Sequence, residues 1–260
     1  MSRFVGTVGW SYKDWKGAFY PPATRSTDWL AHYATRFPAV EVDSSFYAVP
    51  KPEVLDHWAA AVPAGFRFAL KAPGSITHER LLKGCAEDLA AYLALLRRHL
   101  GPRLGPVILQ LPPRFARRHL PDLFALLQAL PPRPGLSVEF RHPSCFSREM
   151  FEVLRQRAVG LVTTDQHSGL LLSGPDVVLR LMGERDAMSV YDKVVLDRDD
   201  DLHTWAGRLE ELPDWVRDTY VFVNNLYSGH APATALDLGL RLGWLDPPEP
   251  EAQQTELFGG

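Results

Sequence analysis

A single-domain, TIM-like (β/α)8 barrel is the fold class that the sequence predicts, on three observations. Short apolar runs that end in polar residues recur eight times along the chain. Most of these runs are separated by segments with the 3.6-residue periodicity of amphipathic helices. The 260 residues match one such domain, which typically takes ~250. Strands alternating with helices imply a parallel sheet, because parallel neighbours need a crossover connection. Eight strands suggest closure into a barrel. The competing fold, an open doubly wound sheet, lacks its usual support, since no Gly-x-Gly-x-x-Gly follows the first strand.

The predicted strands are residues 4–10, 40–46, 66–71, 106–111, 136–141, 160–164, 177–182 and 220–224. Between them, residues 28–37 start at a plausible cap, Asp28, and repeat apolar residues every three or four positions. Residues 52–62 open with a proline in the first helical turn, where its missing N–H costs nothing. Residues 86–100 are strongly amphipathic and stop at Gly101. Residues 121–130, 147–158, 202–212 and 232–242 complete the helices. The connection 165–176 is too short for a long helix and contains Gly169, Gly174 and Pro175, so strands six and seven are expected to be joined irregularly. The barrel domain is expected over 1–245. Residues 246–260, rich in Pro, Glu and Gln, lack the apolar area to order themselves and read as a flexible tail.

A hydrophobic content of 46% is enough for a substantial core. The formal net charge of −3 gives no global electrostatic case for nucleic acid or membranes, though it leaves room for a local basic groove. Two cysteines, Cys85 and Cys145, are too few for a disulfide scaffold and have no base partner at fixed spacing; both read as structural, in a reducing cytoplasm. No signal-peptide-like or bilayer-spanning apolar run is present, so a soluble cytoplasmic protein is expected.

In this architecture reacting groups sit at the C-terminal ends of strands. The second strand ends in Glu41 and Asp43, two apart and so on one face. The third ends in Lys71, the fourth in Gln110, and the fifth in Glu139 and Arg141 followed by His142. Asp165 follows the sixth, Arg180 lies in the seventh, and Asn224 and Asn225 close the eighth. Charged residues are rarely buried unless paired, so this many at matching positions point to a shared pocket. A salt-bridge layer that merely closes the barrel, Glu139 with Arg141 or Glu41 with Lys71, explains part of the set without chemistry. Three chemistries remain open. Glu41, Asp43, Glu139 and Asp165 with nearby histidines offer divalent-metal ligands, although no His-x-x-x-His spacing occurs. A carboxylate pair offers general acid–base catalysis, with Lys71, Arg141 and Arg180 holding an anionic substrate. Lys71 alone offers a Schiff base. His78 and His142 are candidate proton shuttles, with packing or capping as the plainer role. Trp10, Tyr12, Trp15 and Tyr20 crowd the first loop and Tyr47 follows the second strand; such rings either stack on a ligand or plug the space beneath the loops.

The residues 6–12, with Trp15-Lys16-Gly17 and Phe19-Tyr20-Pro21, resemble the opening signature of the domain-of-unknown-function 72 family, also called YecE-like. The resemblance continues through 41–47, 66–71, Ile76-Thr77-His78, 109–113, 139–144 and Val223-Asn224-Asn225, and covers nearly all of the chain except the tail. It implies a TIM-like barrel and little about activity. Barrels that cleave nucleic acids with bound metals are an analogy at the level of fold alone. Four positions depart from the family pattern: Asp43 stands where asparagine is usual, Cys145 for tryptophan, Met182 for histidine and Leu226 for aspartate. The last two remove potential metal ligands.

Gln254, Leu257 and Phe258 in the tail resemble the short peptide by which bacterial replication and repair proteins dock on the sliding clamp. Two apolar anchors on a flexible tail suit a groove, and the glutamine adds hydrogen bonds. The leading expectation is therefore a hydrolase- or phosphodiesterase-like enzyme on a phosphate-bearing or nucleic-acid substrate, recruited by its tail. The alternatives are an enzyme on a small anionic metabolite such as a sugar phosphate, and a non-catalytic binding scaffold.

Overall fold

The structure, a computed structural model, describes residues 1–132, 135–184 and 188–247. In chain order the elements are β1 (Ser2–Val8), α1 (Trp29–Tyr33), β2 (Ala39–Val42), α2 (Pro52–Ala61), β3 (Arg67–Lys71), α3 (Ala86–Leu100), β4 (Leu104–Gln110), α4 (Leu120–Ala129), β5 (Leu136–Glu139), α5 (Arg148–Gln156), β6 (Gly160–Thr164), β7 (Asp176–Leu181), α6 (Asp199–Glu210), β8 (Asp218–Val223), α7 (Asn225–Ser228) and α8 (Ala231–Arg241). The strands are parallel and follow sequence order round a closed barrel. β1 closes it on β8, from Ser2 opposite Asp218 to Thr7 opposite Val223.

Period-two alternation divides the strand residues between two cores. Phe4, Val8, Ala39, Ala69, Ile108, Val162, Val178, Tyr220 and Phe222 pack together inside the barrel. Val5, Val40, Val42, Leu70, Val107, Leu109, Val138, Leu179 and Val221 face outward and meet the helices, among them Leu89, Leu93 and Leu96 of α3. Two residues beyond Ala39, Ala69, Ile108 and Val178 the same alternation aims Glu41, Lys71, Gln110 and Arg180 at the barrel axis, and on β5 Glu139 follows Ser137 in the same way.

The irregular link between β6 and β7 is as expected: no helix forms over residues 165–175. Three strands end two or more residues earlier than predicted. β1 stops before Gly9, whose φ of +76° leaves the extended region. β2 stops at Val42, and Ser44–Phe46 turn into a 3₁₀ helix because the Ser45 hydroxyl bridges the carbonyl oxygens of Val42 and Lys71, each at 2.9 Å. β5 stops at Glu139, leaving Arg141 in the following loop. No described helix is long and apolar enough to cross a membrane.

A candidate active site at the barrel mouth

Arg180 is the centre of the strand-end charges, and it is fully buried. Its Nε and Nη2 donate to the two oxygens of Glu41, both at 2.7 Å, and its Nη1 donates to Glu139 Oε2. Glu139 Oε1 accepts from Gln110 Nε2 at 2.7 Å and from Arg141 Nε at 3.3 Å. Above this layer Lys71 Nζ pairs with Asp43 Oδ1 at 2.7 Å, and Arg180 Nη2 lies 3.9 Å from the same oxygen. Residues from β2, β3, β4, β5 and β7 thus converge, as their strand-end positions predict. Of the two expected pairs, Glu139 with Arg141 is present and Glu41 with Lys71 is not. Glu41 takes Arg180 rather than Lys71, because Lys71 reaches outward to Asp43 while the longer, forked guanidinium spans both buried glutamates.

Exposure separates the group into two tiers. The side chains of Glu41 and Arg180 have no accessible surface and that of Glu139 has 4%, whereas Lys71, Arg141 and Asp43 keep 12%, 32% and 37%. Burial pushes the Glu41 carboxyl up to about 7, and Arg180 only partly offsets it. Glu139 is equally buried, yet Arg180, Arg141 and Lys71 together outweigh burial and hold it below the usual carboxylate value. In Asp43, too, burial is outweighed, by Lys71 and then Arg180, and its carboxyl is lowered. Two glutamates sharing one guanidinium are therefore pushed apart in acidity, a pattern typical of acid–base sites.

His78 stands beside this group on a single π-helical turn, Ser75–Glu79. Its Nδ1 lies 3.0 Å from the Thr77 hydroxyl, and its ring meets Phe46 edge-on at 4.7 Å. Burial, then Arg141, Arg114 and Lys71, hold it below the ordinary histidine value, so it is a neutral base at neutral pH. Tyr12 lies near Asp43 and Glu41; burial first and those charges second suppress its acidity, and its hydroxyl donates to the Val8 carbonyl at 2.9 Å. Trp10 meets Trp58 edge-on at 5.3 Å, and Tyr47 is 86% exposed.

Several expected site residues make hydrogen bonds or packing contacts within the fold. Trp15 and Tyr20 are fully buried: Trp15 Nε1 donates to Asn225 Oδ1 at 3.1 Å, and Tyr20 stacks on Trp29 at 4.9 Å. Neither ring is open to a ligand, so both belong to satellite core beneath the loops. The Asn225 Oδ1 also accepts from Ala231 N, and Asn224 Oδ1 caps α7 by accepting from Leu226 N. Asp165 accepts from the backbone of Met182 and Gly183, which bends the chain leaving β7. His142 Nδ1 accepts from Ser144 N and caps a 3₁₀ turn. Arg180, expected to touch substrate, is enclosed by its two carboxylates.

Two residues escaped the sequence reading. Tyr191, in the long connection after β7, places its ring edge-on to Tyr12 at 6.2 Å and its N–H on Asp14 at 3.2 Å. Arg114, in the loop after β4, donates to the His78 carbonyl. Neither lies at a strand end, so no periodicity marks it. Among the described residues no group of three His, Cys, Asp or Glu side chains could hold a metal ion. The oxygens of Glu41 and Glu139 already accept from Arg180, Gln110 and Arg141, so a divalent cation there would have to displace these donors. Two surface clefts, of about 490 and 530 Å³, lie against α4 and around Trp215, away from the converged charges. Gln254, Leu257 and Phe258 lie outside the described residues.

The fold is similar to that of a DUF72 family protein from Thermotoga maritima, with a TM-score of 0.79, 29% identity, and coverage of 94% of this chain and 100% of that one. In sequence the chain is similar to the UPF0759 protein YecE of Escherichia coli (strain K12), 35% identical over 167 residues, or 62% of this chain and 58% of that protein. It is also similar to the UPF0759 protein YunF of Bacillus subtilis (strain 168), 31% identical over 157 residues, or 57% of this chain and 54% of that protein. The chain thus spans less than two thirds of the length of these curated relatives. The family described as "Protein of unknown function DUF72" matches residues 4–255. With that match over nearly its whole length, the chain belongs to the DUF72 family.

Proposed function

We propose that the chain is an enzyme that moves a proton on a small, anion-bearing substrate held at the barrel mouth. The observation that carries this reading is the two-tier charge arrangement. A layer that served only to close the barrel would need no more than the buried Glu41–Arg180–Glu139 triad. Above it, Lys71, Asp43, Arg141 and His78 remain partly accessible, with neutral His78 surrounded by cations. In this reading Lys71 and Arg141 hold the anion, Asp43 orients Lys71, and His78 is the base. Gln110 and Glu139 form the floor, and Trp10, Tyr12 and Tyr47 offer ring surfaces to the substrate body. Glu41 and Arg180 are positioning residues that hold the ends of β2, β5 and β7. If the proton comes from water, the reaction is a hydrolysis.

A thermal-shift screen with phosphorylated sugars and small carboxylates, run beside single-stranded and duplex DNA at low salt, tests the proposal. A ligand at 100 times its dissociation constant adds ~2.7 kcal/mol to stability. The expected result is stabilisation by a small anion, with H78Q keeping that stabilisation and losing turnover by about 10²–10⁴-fold. Stabilisation by DNA alone, falling steeply with salt, favours the nucleic-acid reading. No response to any of these compounds favours the scaffold.

The clamp-like peptide supports recruitment as a second reading. Trp244 lies under the Arg3 guanidinium, 5.7 Å from ring centroid to carbon, and Leu245 packs beside Val5 at Gly239. The described chain therefore ends on the face opposite the mouth, where a docked partner would leave the mouth open.

A further inference from the structure

The cations of the mouth differ in what neutralises them. Arg180 has Glu41 and Glu139, Lys71 has Asp43, and Arg141 shares Glu139. Arg114 has no carboxylate partner among the described residues; its Nη2 donates to the carbonyl oxygen of His78. It is exposed, yet it stands on a fixed turn. Pro112 and Pro113 precede it, and buried Phe115 donates its N–H to the Pro112 carbonyl at 2.8 Å. Cys145 Sγ donates to the Phe115 carbonyl at 3.2 Å, and Arg117 N donates to Ser144 Oγ at 3.0 Å. The loop after β4 is thereby tied to the loop after β5.

His78, on the other side, is fixed too. The turn that carries it, Ser75–Glu79, is a π turn, a rare conformation. It leads into Leu81 and Leu82 at φ values of 49° and 72°, a conformation that costs a residue with a Cβ. Phe46 fills the space against Gly74, where an added Cβ would stand 3.0 Å from the ring.

We propose that Arg114, with Arg141 and Lys71, forms a seat for a phosphate dianion beside His78, so that the substrate is a phosphate monoester with its phosphoryl end over β3, β4 and β5. This inference rests on the reading of the mouth as a substrate site. Among the described residues Lys71, Arg141 and Arg180 form ion pairs with Glu41, Asp43 and Glu139 alone and Arg114 forms none, so four cations meet three carboxylates and net positive charge is left for the ligand. The excess is centred on a planar guanidinium with donors to spare, the geometry that phosphate oxygens accept. A bound dianion opposes the field that Arg141, Arg114 and Lys71 exert on His78, so phosphate binding and His78 protonation reinforce each other.

The test uses inorganic phosphate and the full chain. Phosphate affinity is measured by calorimetry, and the His78 imidazole, identified by its loss in H78Q, is titrated by NMR with and without phosphate. The expected result is that saturating phosphate raises the His78 titration midpoint. R114Q weakens phosphate by about tenfold or more and abolishes the midpoint shift. R114K retains part of both, and R118Q, a change at a neighbouring exposed arginine, behaves as wild type. The seat is overturned if R114Q binds phosphate within about twofold of wild type. It is also overturned if saturating phosphate leaves His78 unmoved, or if acetate binds as well as phosphate. The two proposals fail separately. Phosphate binding that depends on Arg114, with no turnover of any phosphate monoester, leaves the seat and removes the reaction. Turnover of an unphosphorylated anion, unaffected by R114Q, leaves the reaction and removes the seat.

Discussion

Arg180 is the residue whose loss the mouth tolerates least. Its removal takes from buried Glu41 its only ion pair among the described residues and leaves buried Glu139 with Arg141 alone. R180M is expected to cost about 3–5 kcal/mol, read as a fall in the urea midpoint at pH 8. Glu41 adds a pH dependence of definite sign. Its folded value of about 7 lies above its ordinary 4.5, so the fold favours the protonated acid. That contribution is complete below pH 4.5 and is lost as pH rises through 7. The urea midpoint of E41Q should fall less than that of wild type between pH 5 and 8; an unchanged slope would place the titration elsewhere. At this scale the sequence was informative about position and, for pairing, right only for the neighbours Glu139 and Arg141. A charged residue closing an apolar run announces where Glu41, Lys71, Glu139 and Arg180 lie, because alternation is local. Which acid takes which base depends on side-chain reach across the barrel. The same limit explains Trp15 and Tyr20: an aromatic first loop looks the same in sequence whether its rings face solvent or core.

Element by element, the repeating units were readable and the breaks in them were not. Helix α3 occupies the predicted residues because its amphipathic stripe is long and Gly101 stops it. The strand ends at Val8 and Val42 were overrun because the apolar pattern continues past them. What ends the strands is a positive φ at Gly9 and the Ser45 hydroxyl taking two carbonyls. The π turn bearing His78 has no periodic signature at all. One tie between elements carries a clear prediction. Tyr33 of α1 is fully buried; its hydroxyl accepts from Thr7 N at 2.8 Å and donates to the Ala39 carbonyl at 2.9 Å, bracing β1 against β2. Y33F leaves the Thr7 N–H unsatisfied and should cost about 1–3 kcal/mol in chemical denaturation. A neutral outcome would mean that the β1–β2 ladder holds without this brace.

For the whole molecule, closure was legible from eight repeats, and the opposition of mouth and chain end was not, since it follows from where α8 packs. It gives the tail a testable independence. Deleting residues 254–258 should abolish binding to a purified bacterial sliding clamp in surface plasmon resonance and leave any mouth ligand's thermal shift intact. Equal clamp binding by full-length and truncated chains would make the peptide resemblance a coincidence. The closed strand order also sets a schedule. Arg180 and Glu41 are 139 positions apart, and β1 must wait for β8 to complete its ladder. On a ribosome releasing the chain from its N-terminus, the early strands and Glu41 emerge long before their last partners. Until β7 is available Glu41 and Glu139 have no Arg180 between them, so the bridge that joins them can form only after that strand has emerged.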